Sequence, residues 1–253
     1  MSGRLTVIGI GPGPARWMTP AAHEALEAAT DIFGYDPYLR RLQFRSDQKV
    51  WGSDNREELY RAAAALKAAT DGRISVIVSG GDPGVFAMAA AVFEAIESGP
   101  ESWRSLEVII EPGVPAMLAA AARIGAPLGN DFCAISLSDN LKPWSLIEKR
   151  LRLACEADFA LVLYNPASNA RPDGVHRAFE VLRQVRNPNT IVIFARAIGR
   201  DEERVVVSEL EKADPGIADM QTLIILGSSA TRVLGRAGRA EPWVYTPRRF
   251  RQS

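Results

Sequence analysis

The sequence predicts an α/β fold of two α/β domains with mixed, mostly parallel sheets. Three observations carry this expectation. Short apolar runs alternate with helical runs through the first half, as in strand–helix–strand units. Three of the apolar runs lead into glycine turns: Gly9-Ile10-Gly11-Pro12-Gly13, Ser79-Gly80-Gly81-Asp82-Pro83-Gly84 and Glu111-Pro112-Gly113-Val114. The second half restarts the alternation but ends in several short strands with fewer helices between them, which predicts a mixed sheet there. We place the domains at 1–114 and 115–253.

Leu5–Ile10 reads as a buried strand, because its apolar run is continuous rather than alternating. Thr19-Pro20 supplies an N-cap and a first helical residue for a helix to about Ala29. Asp31–Tyr35 is a second strand, and 37–55 reads as a polar loop with one short helix. Residues 56–70 are alanine-rich and stop at Asp71-Gly72, a helix with its terminator. Ile74–Val78 is a strand, 87–96 a helix, Leu106–Ile110 a strand and Ala116–Ile124 a helix ended by Gly125. The Gly- and Pro-containing stretch 125–131 reads as a crossing between domains. Strands follow at Phe132–Leu137, Phe159–Tyr164, Thr190–Arg196, Val205–Val207 and Thr222–Leu226, with helices at Pro143–Cys155 and Gly174–Val185. A short helix is expected around Glu209, and Trp243–Tyr245 as a last edge strand.

Composition removes several function classes. Lys plus Arg and Asp plus Glu both number 30, so no net field favours nucleic acid or an anionic membrane. No apolar run approaches the roughly 20 residues that cross a bilayer. The opening residues run straight into a strand, so no signal peptide is expected. Cys133 and Cys155 lack metal-ligand spacing, and reduced thiols in the cytoplasm are the expectation. His23 and His176 fall on expected helices rather than glycine turns, so no metal site is expected. Neither a nucleophile elbow nor a P-loop occurs.

The glycine turns are where chemistry is expected, because ligands of open parallel sheets sit outside the carboxyl ends of the strands. In the second turn Asp82-Pro83 suits N-cap and first residue of the following helix. The first turn invites a dinucleotide reading, but its third glycine comes one residue early. Pro12 and Pro14 also remove two of the N–H donors that a pyrophosphate needs. A ligand without phosphate suits the loop better. Arg171, after one expected strand, and Arg196, at the end of another, are candidate carboxylate clamps, with Arg40 and Arg41 as further candidates.

Taken together, Gly9–Gly13, Ser79–Val85 and Glu111–Val114 resemble the tetrapyrrole methylase family in order and spacing along nearly the whole chain. Asp131-Phe132, Ile135–Asp139, Pro143-Trp144, Leu163–Pro166 and Thr231-Arg232 resemble family members that methylate a corrin precursor and take part in contracting its ring in cobalamin biosynthesis. The resemblance implies S-adenosyl-L-methionine, released as S-adenosyl-L-homocysteine, in a cleft between two α/β domains. It implies a tetrapyrrole substrate with several carboxylates, and a homodimer.

Matched residue by residue, the implied cofactor contacts are Pro12, Gly81, Asp82, Val85, Phe86, Pro115, Ala116, Leu163, Tyr164, Asn165, Ala197, Thr222 and Leu223. Asp131, Ser138, Asp139 and Tyr164 are the polar candidates for proton transfer in ring contraction. Two positions depart from the family pattern: Pro14 stands for an acidic residue, and Pro115 for a threonine. Any contact at Pro115 is then apolar or through its carbonyl. Two other readings stay open at this point: methylation at another carbon of a corrin precursor, and a nucleotide-sensing module without turnover.

Overall fold

The computed structural model describes residues 3–54, 57–167, 173–238 and 241–249. The chain divides into two compact units between Ala116 and Met117.

The first unit is built on strands β1 (Arg4–Gly9), β2 (Asp31–Tyr35), β3 (Lys49–Ser53), β4 (Ile74–Ser79) and β5 (Glu107–Glu111). Its helices are α1 (Pro20–Ala28), α2 (Asp36–Leu39), α3 (Glu58–Thr70) and α4 (Met88–Ser98). The strands form one sheet in the order β3-β2-β4-β1-β5, and every pairing is parallel. The centre of the sheet is the apolar part of the sequence. Leu5, Val7 and Ile8 of β1 and Val76 and Ile77 of β4 are fully buried, as strands covered on both faces require. Helix α1 starts as expected, with Thr19 Oγ1 accepting from the Ala22 N–H at 3.2 Å and Pro20 in the first turn.

Strand β3 was expected to be loop. Val50 and Trp51 of this edge strand are exposed, so no buried apolar run marks it. It pairs on one side with β2, where Trp51 stacks on Phe33 and donates to the buried Asp31 carboxylate at 3.3 Å.

The second unit contains α5 (Ala116–Ile124), which begins at the boundary, then β6 (Gly125–Ala126), β7 (Phe132–Ser136), α6 (Trp144–Glu156), β8 (Ala160–Tyr164) and α7 (Gly174–Val185). Strands β9 (Ile191–Arg196), β10 (Arg204–Glu209), β11 (Thr222–Leu226), β12 (Arg232–Leu234) and β13 (Trp243–Tyr245) follow. The larger sheet runs β10-β9-β11-β8-β7 and is mixed: β7 and β8 are parallel, and the other three pairings are antiparallel. Over both units parallel pairings predominate. Helix α7 presents Val175, Ala178, Phe179 and Leu182 to the sheet, where Phe179 stacks on Phe194 of β9.

Three expectations are corrected in this unit. Gly125–Ala126 is not a crossing between domains but strand β6, paired with β13 in a small sheet ordered β12-β13-β6. Trp243–Tyr245 is therefore the central strand of that sheet rather than an edge, and β12, exposed throughout, carried no apolar signal. The short helical turn lies at Pro215–Ile217, where Asp214 caps it, and not around Glu209, which ends β10.

Candidate functional site

Strand β1 lies between β4 and β5, so the loops after these three strands emerge side by side at the carboxyl end of the first sheet. They are the three glycine turns. Gly11 and Gly81 exchange a pair of backbone hydrogen bonds, each 3.2 Å, and the Ile10 N–H donates to the Ser79 carbonyl at 3.0 Å. The third loop joins through Asp82, whose Oδ2 accepts from the Gly113 N–H at 3.1 Å. Its other oxygen accepts from the Gly84 N–H at 2.8 Å.

The junction closes because glycines stand where backbones touch. A Cβ at Gly113 would fall 2.3 Å from the Gly81 carbonyl oxygen, and one at Gly9 2.7 Å from the Gly113 nitrogen. From outside, Arg41 donates through Nη2 to the carbonyls of Gly11 (3.1 Å) and Gly13 (2.7 Å). Thr19 Oγ1 donates to the Pro112 carbonyl at 3.3 Å. Arg61, buried, donates to Met88 Sδ at 3.2 Å and to the Asp54 carbonyl at 2.7 Å, which anchors the start of α4.

Asp82 is not the N-cap of the next helix. Helix α4 begins at Met88, with Ala87 at its N-cap and no side-chain cap. The carboxylate turns instead onto the N–H two residues on, as Asp side chains do in turns, and reaches across to the third loop. Likewise Arg41 is a brace of the first loop, through Nη2, rather than a side chain held out for substrate.

The donor inventory defines what this junction can hold. The N–H groups of Gly11, Gly81, Gly84, Val85 and Gly113 are all committed within or between the loops. A pyrophosphate cradle needs those donors free. Gly81 has φ +66°, and an added Cβ there would meet Pro115 and Ala116 at ordinary contact distance, 3.8 Å. The Val114 carbonyl lies 3.9 Å from the same point, and the neighbouring Asp82 side chain is a carboxylate. These features fit a ligand that carries positive charge, hydroxyls or an amine, and no phosphate.

In the second unit, β7, β8 and β9 point the same way and β11 runs against them. Leu163, Tyr164, Asn165, Arg196, Ala197, Thr222 and Leu223 therefore gather at one end of the sheet, with Ser138 and Asp139 on the loop leaving β7. Asp131 precedes β7 and sits at its opposite end, about five strand residues or roughly 17 Å away. The structure does not bring it together with Ser138, Asp139 and Tyr164. Leu163, Ala197, Thr222 and Leu223 are buried, so their backbones are what they offer to a ligand. Arg171 lies outside the described residues.

A residue that sequence reasoning missed organises this end. Ser136, buried, accepts through Oγ from Asn165 Nδ2 at 2.9 Å and from the Ser138 N–H at 3.3 Å. The Tyr164 hydroxyl accepts from the Met117 N–H at 3.1 Å, satisfying an otherwise orphaned donor at the start of α5. Tyr164→Phe is expected to cost about 1 kcal/mol of stability in urea titration.

Backbone strain gives a signal independent of the sequence motifs. Among the described residues, four non-glycine residues have positive φ: Phe86, Asp158, Asn165 and Ala197. Each such conformation costs of order 1–3 kcal/mol and gathers at functional sites. Three of the four are residues that the family resemblance assigned to the cofactor.

Arg196 already holds an acid. Its Nε donates to Asp219 Oδ2 at 2.8 Å, while Asp219 Oδ1 accepts from Thr222 Oγ1 at 2.8 Å and from the Gln221 N–H at 3.0 Å. Burial pushes the Asp219 carboxyl up, but the hydrogen bonds from Thr222, Arg196 and Gln221 outweigh it and hold the pKa below the ordinary value. Asp158 is similar: burial opposes ionisation, and hydrogen bonds from Ser229 and Arg186 overcome it. A carboxyl with a depressed folded pKa stabilises fully above its unfolded pKa of about 3.9, and loses that stability as pH falls through the folded value. The acid limb of melting temperature against pH is therefore expected to be shallower in Asp158→Asn/Asp219→Asn than in the parent protein.

Residues 4–214 match the model of the Tetrapyrrole (Corrin/Porphyrin) Methylases. This chain belongs to the tetrapyrrole methylases. Among its relatives, the Precorrin-3B C(17)-methyltransferase of Sinorhizobium sp is 58% identical over 98% of this chain and 97% of the relative. The crystal structure of the methyltransferase CobJ is 51% identical and superposes with a TM-score of 0.92, covering 97% of this methylase and 100% of that chain. A Uroporphyrin-III C-methyl transferase from Thermus thermophilus, complexed with S-adenyl homocysteine, is 24% identical with a TM-score of 0.67 over 89% of this methylase and 97% of that chain. At that identity the likeness speaks for the fold alone. No helix among the described residues of this methylase is long and apolar enough to cross a membrane.

Proposed function

We propose that this methylase transfers the methyl group of S-adenosyl-L-methionine to carbon 17 of precorrin-3B and takes part in contracting the macrocycle to precorrin-4, in cobalamin biosynthesis. The observation that carries the reading is the 58% identity, end to end, with a relative of that name. The committed N–H groups of the glycine junction support a cofactor without phosphate.

S-adenosyl-L-methionine, when bound, supplies an activated methyl group on a sulfonium. In the first unit Gly81, Asp82, Val85, Phe86, Pro115 and Ala116, with Pro12, would hold and orient it. The Asp82 carboxylate would favour its positive charge. Leu163, Tyr164, Asn165, Ala197, Thr222 and Leu223 are the second unit's proposed contributions. Alignment is most of what the protein adds, since oriented reactants gain about 7–11 kcal/mol. Ring contraction also needs proton transfers, for which Tyr164, Ser138 and Asp139 are the proposed groups. Asp131, at the far end of β7, is left out of that set.

Isothermal titration tests the cofactor reading. Micromolar or tighter binding of S-adenosyl-L-homocysteine, with none of NADH or ATP, is expected, and the reverse would reject it. A homodimer in the cytoplasm is part of the proposal, and light scattering in solution that returned the mass of one chain would remove the dimer.

A further inference from the structure

Three cations on the loop and helices that follow β7 and β8 lack an ion-pair partner among the described residues. Lys142 lies on the loop from β7 to α6, Arg150 in α6, and Arg177 in the first turn of α7. Both helices begin at the end of the sheet where Ser138, Asp139, Tyr164 and Asn165 lie. The Arg177 guanidinium lies over the ring of Trp144, the first residue of α6, 4.3 Å from its centroid. Neither α6 nor α7 has an acidic residue in its first turn.

Among the described residues none of the three cations forms an ion pair. The acid of α6 nearest to Arg150 is spent elsewhere, because Glu148 pairs with Arg152. Lys142 is half-buried, and both burial and repulsion from Arg150 disfavour its charge. Cations at helix starts are also opposed by the helix dipole. An anion placed there would favour the charged form of Lys142.

We propose that Lys142 and Arg177, with Trp144 as the plate that holds the guanidinium flat and Arg150 adding charge, form a subsite for a carboxylate side chain of the tetrapyrrole substrate. The inference rests on the substrate class proposed above and names where one acetate or propionate binds. A guanidinium stacked on an aromatic face keeps its N–H edge available for a bidentate bond to a carboxylate. Arg196 is a weaker candidate for this task, because Asp219 already occupies it.

The test uses uroporphyrin I, a stable tetrapyrrole carrying acetate and propionate groups on every ring, titrated by its visible absorption. Arg177→Ala is expected to weaken its binding about tenfold, and Lys142→Ala/Arg177→Ala about a hundredfold. S-adenosyl-L-homocysteine affinity should stay within about twofold in both, which separates lost contact from lost folding. Arg104→Ala, at a surface arginine of the first unit, serves as control. Uroporphyrin I affinity that is unchanged in both variants, equally weakened in the control, or absent in the parent protein overturns the subsite. A parent protein that binds uroporphyrin I through these residues but does not methylate precorrin-3B supports the subsite and overturns the proposed reaction instead.

Discussion

Asp82→Ala is expected to lower S-adenosyl-L-homocysteine affinity by about 30- to 100-fold, while the protein still folds. The substitution removes the acceptor for two backbone donors, Gly84 N–H and Gly113 N–H. Each bond to a charged acceptor contributes about 1.5–3 kcal/mol where the groups are shielded. Asp82 is half-exposed, so water replaces part of that, and the loss of about 2–3 kcal/mol falls on loop geometry more than on the core. Two consequences add. The third loop is released from the second, and the negative charge that would favour the ligand's amino group is gone. Asp82→Asn keeps an oxygen for one donor and presents an NH2 group to the other, so its affinity should fall between the two. Calorimetry on the three proteins checks the order, and equal affinities would detach Asp82 from the cofactor.

Gly113→Ala is expected to be more damaging, and to act on stability as well. The added methyl would stand 2.3 Å from the Gly81 carbonyl oxygen and 2.8 Å from Gly9 Cα. Both obstacles are backbone: Gly9 ends β1 and Gly81 is tied to Gly11 by two hydrogen bonds, so neither can swing aside. Overpacking of this kind costs about 1–3 kcal/mol where side chains can give way, and more where they cannot. We expect a loss above about 3 kcal/mol in urea titration, with cofactor binding undetectable. Gly235→Ala is the matched control, since nothing lies within 4 Å of its added Cβ, and a change within about 0.5 kcal/mol is expected.

Much of the fold was legible because its central strands are continuous apolar runs between strong punctuation. Asp31–Tyr35, Ala116–Ile124, Gly174–Val185 and Thr222–Leu226 have the bounds that the sequence predicts. The strands that escaped were β6, only two residues long, and β3 and β12, which are exposed along most or all of their length, so burial wrote no pattern into them. The glycine turns were legible as loops that follow strands. How Asp82 serves them was not, since the cap reading uses neighbours in sequence while its second partner, Gly113, is 31 residues away. Ser136, the Tyr164–Met117 bond and the Arg177–Trp144 stack were hidden for the same reason: each joins elements that meet through the sheet. The parallel direction of β7, β8 and β9 also separated Asp131 from the other polar candidates, which no motif spacing could have done.

The measurement that most directly tests the account is an incubation of the protein with precorrin-3B and S-adenosyl-L-methionine carrying a 13C methyl group, followed by NMR of the product. A single labelled methyl on carbon 17 of a contracted ring is expected. A label on another carbon, or an unlabelled precorrin-3B recovered from active protein, would contradict it.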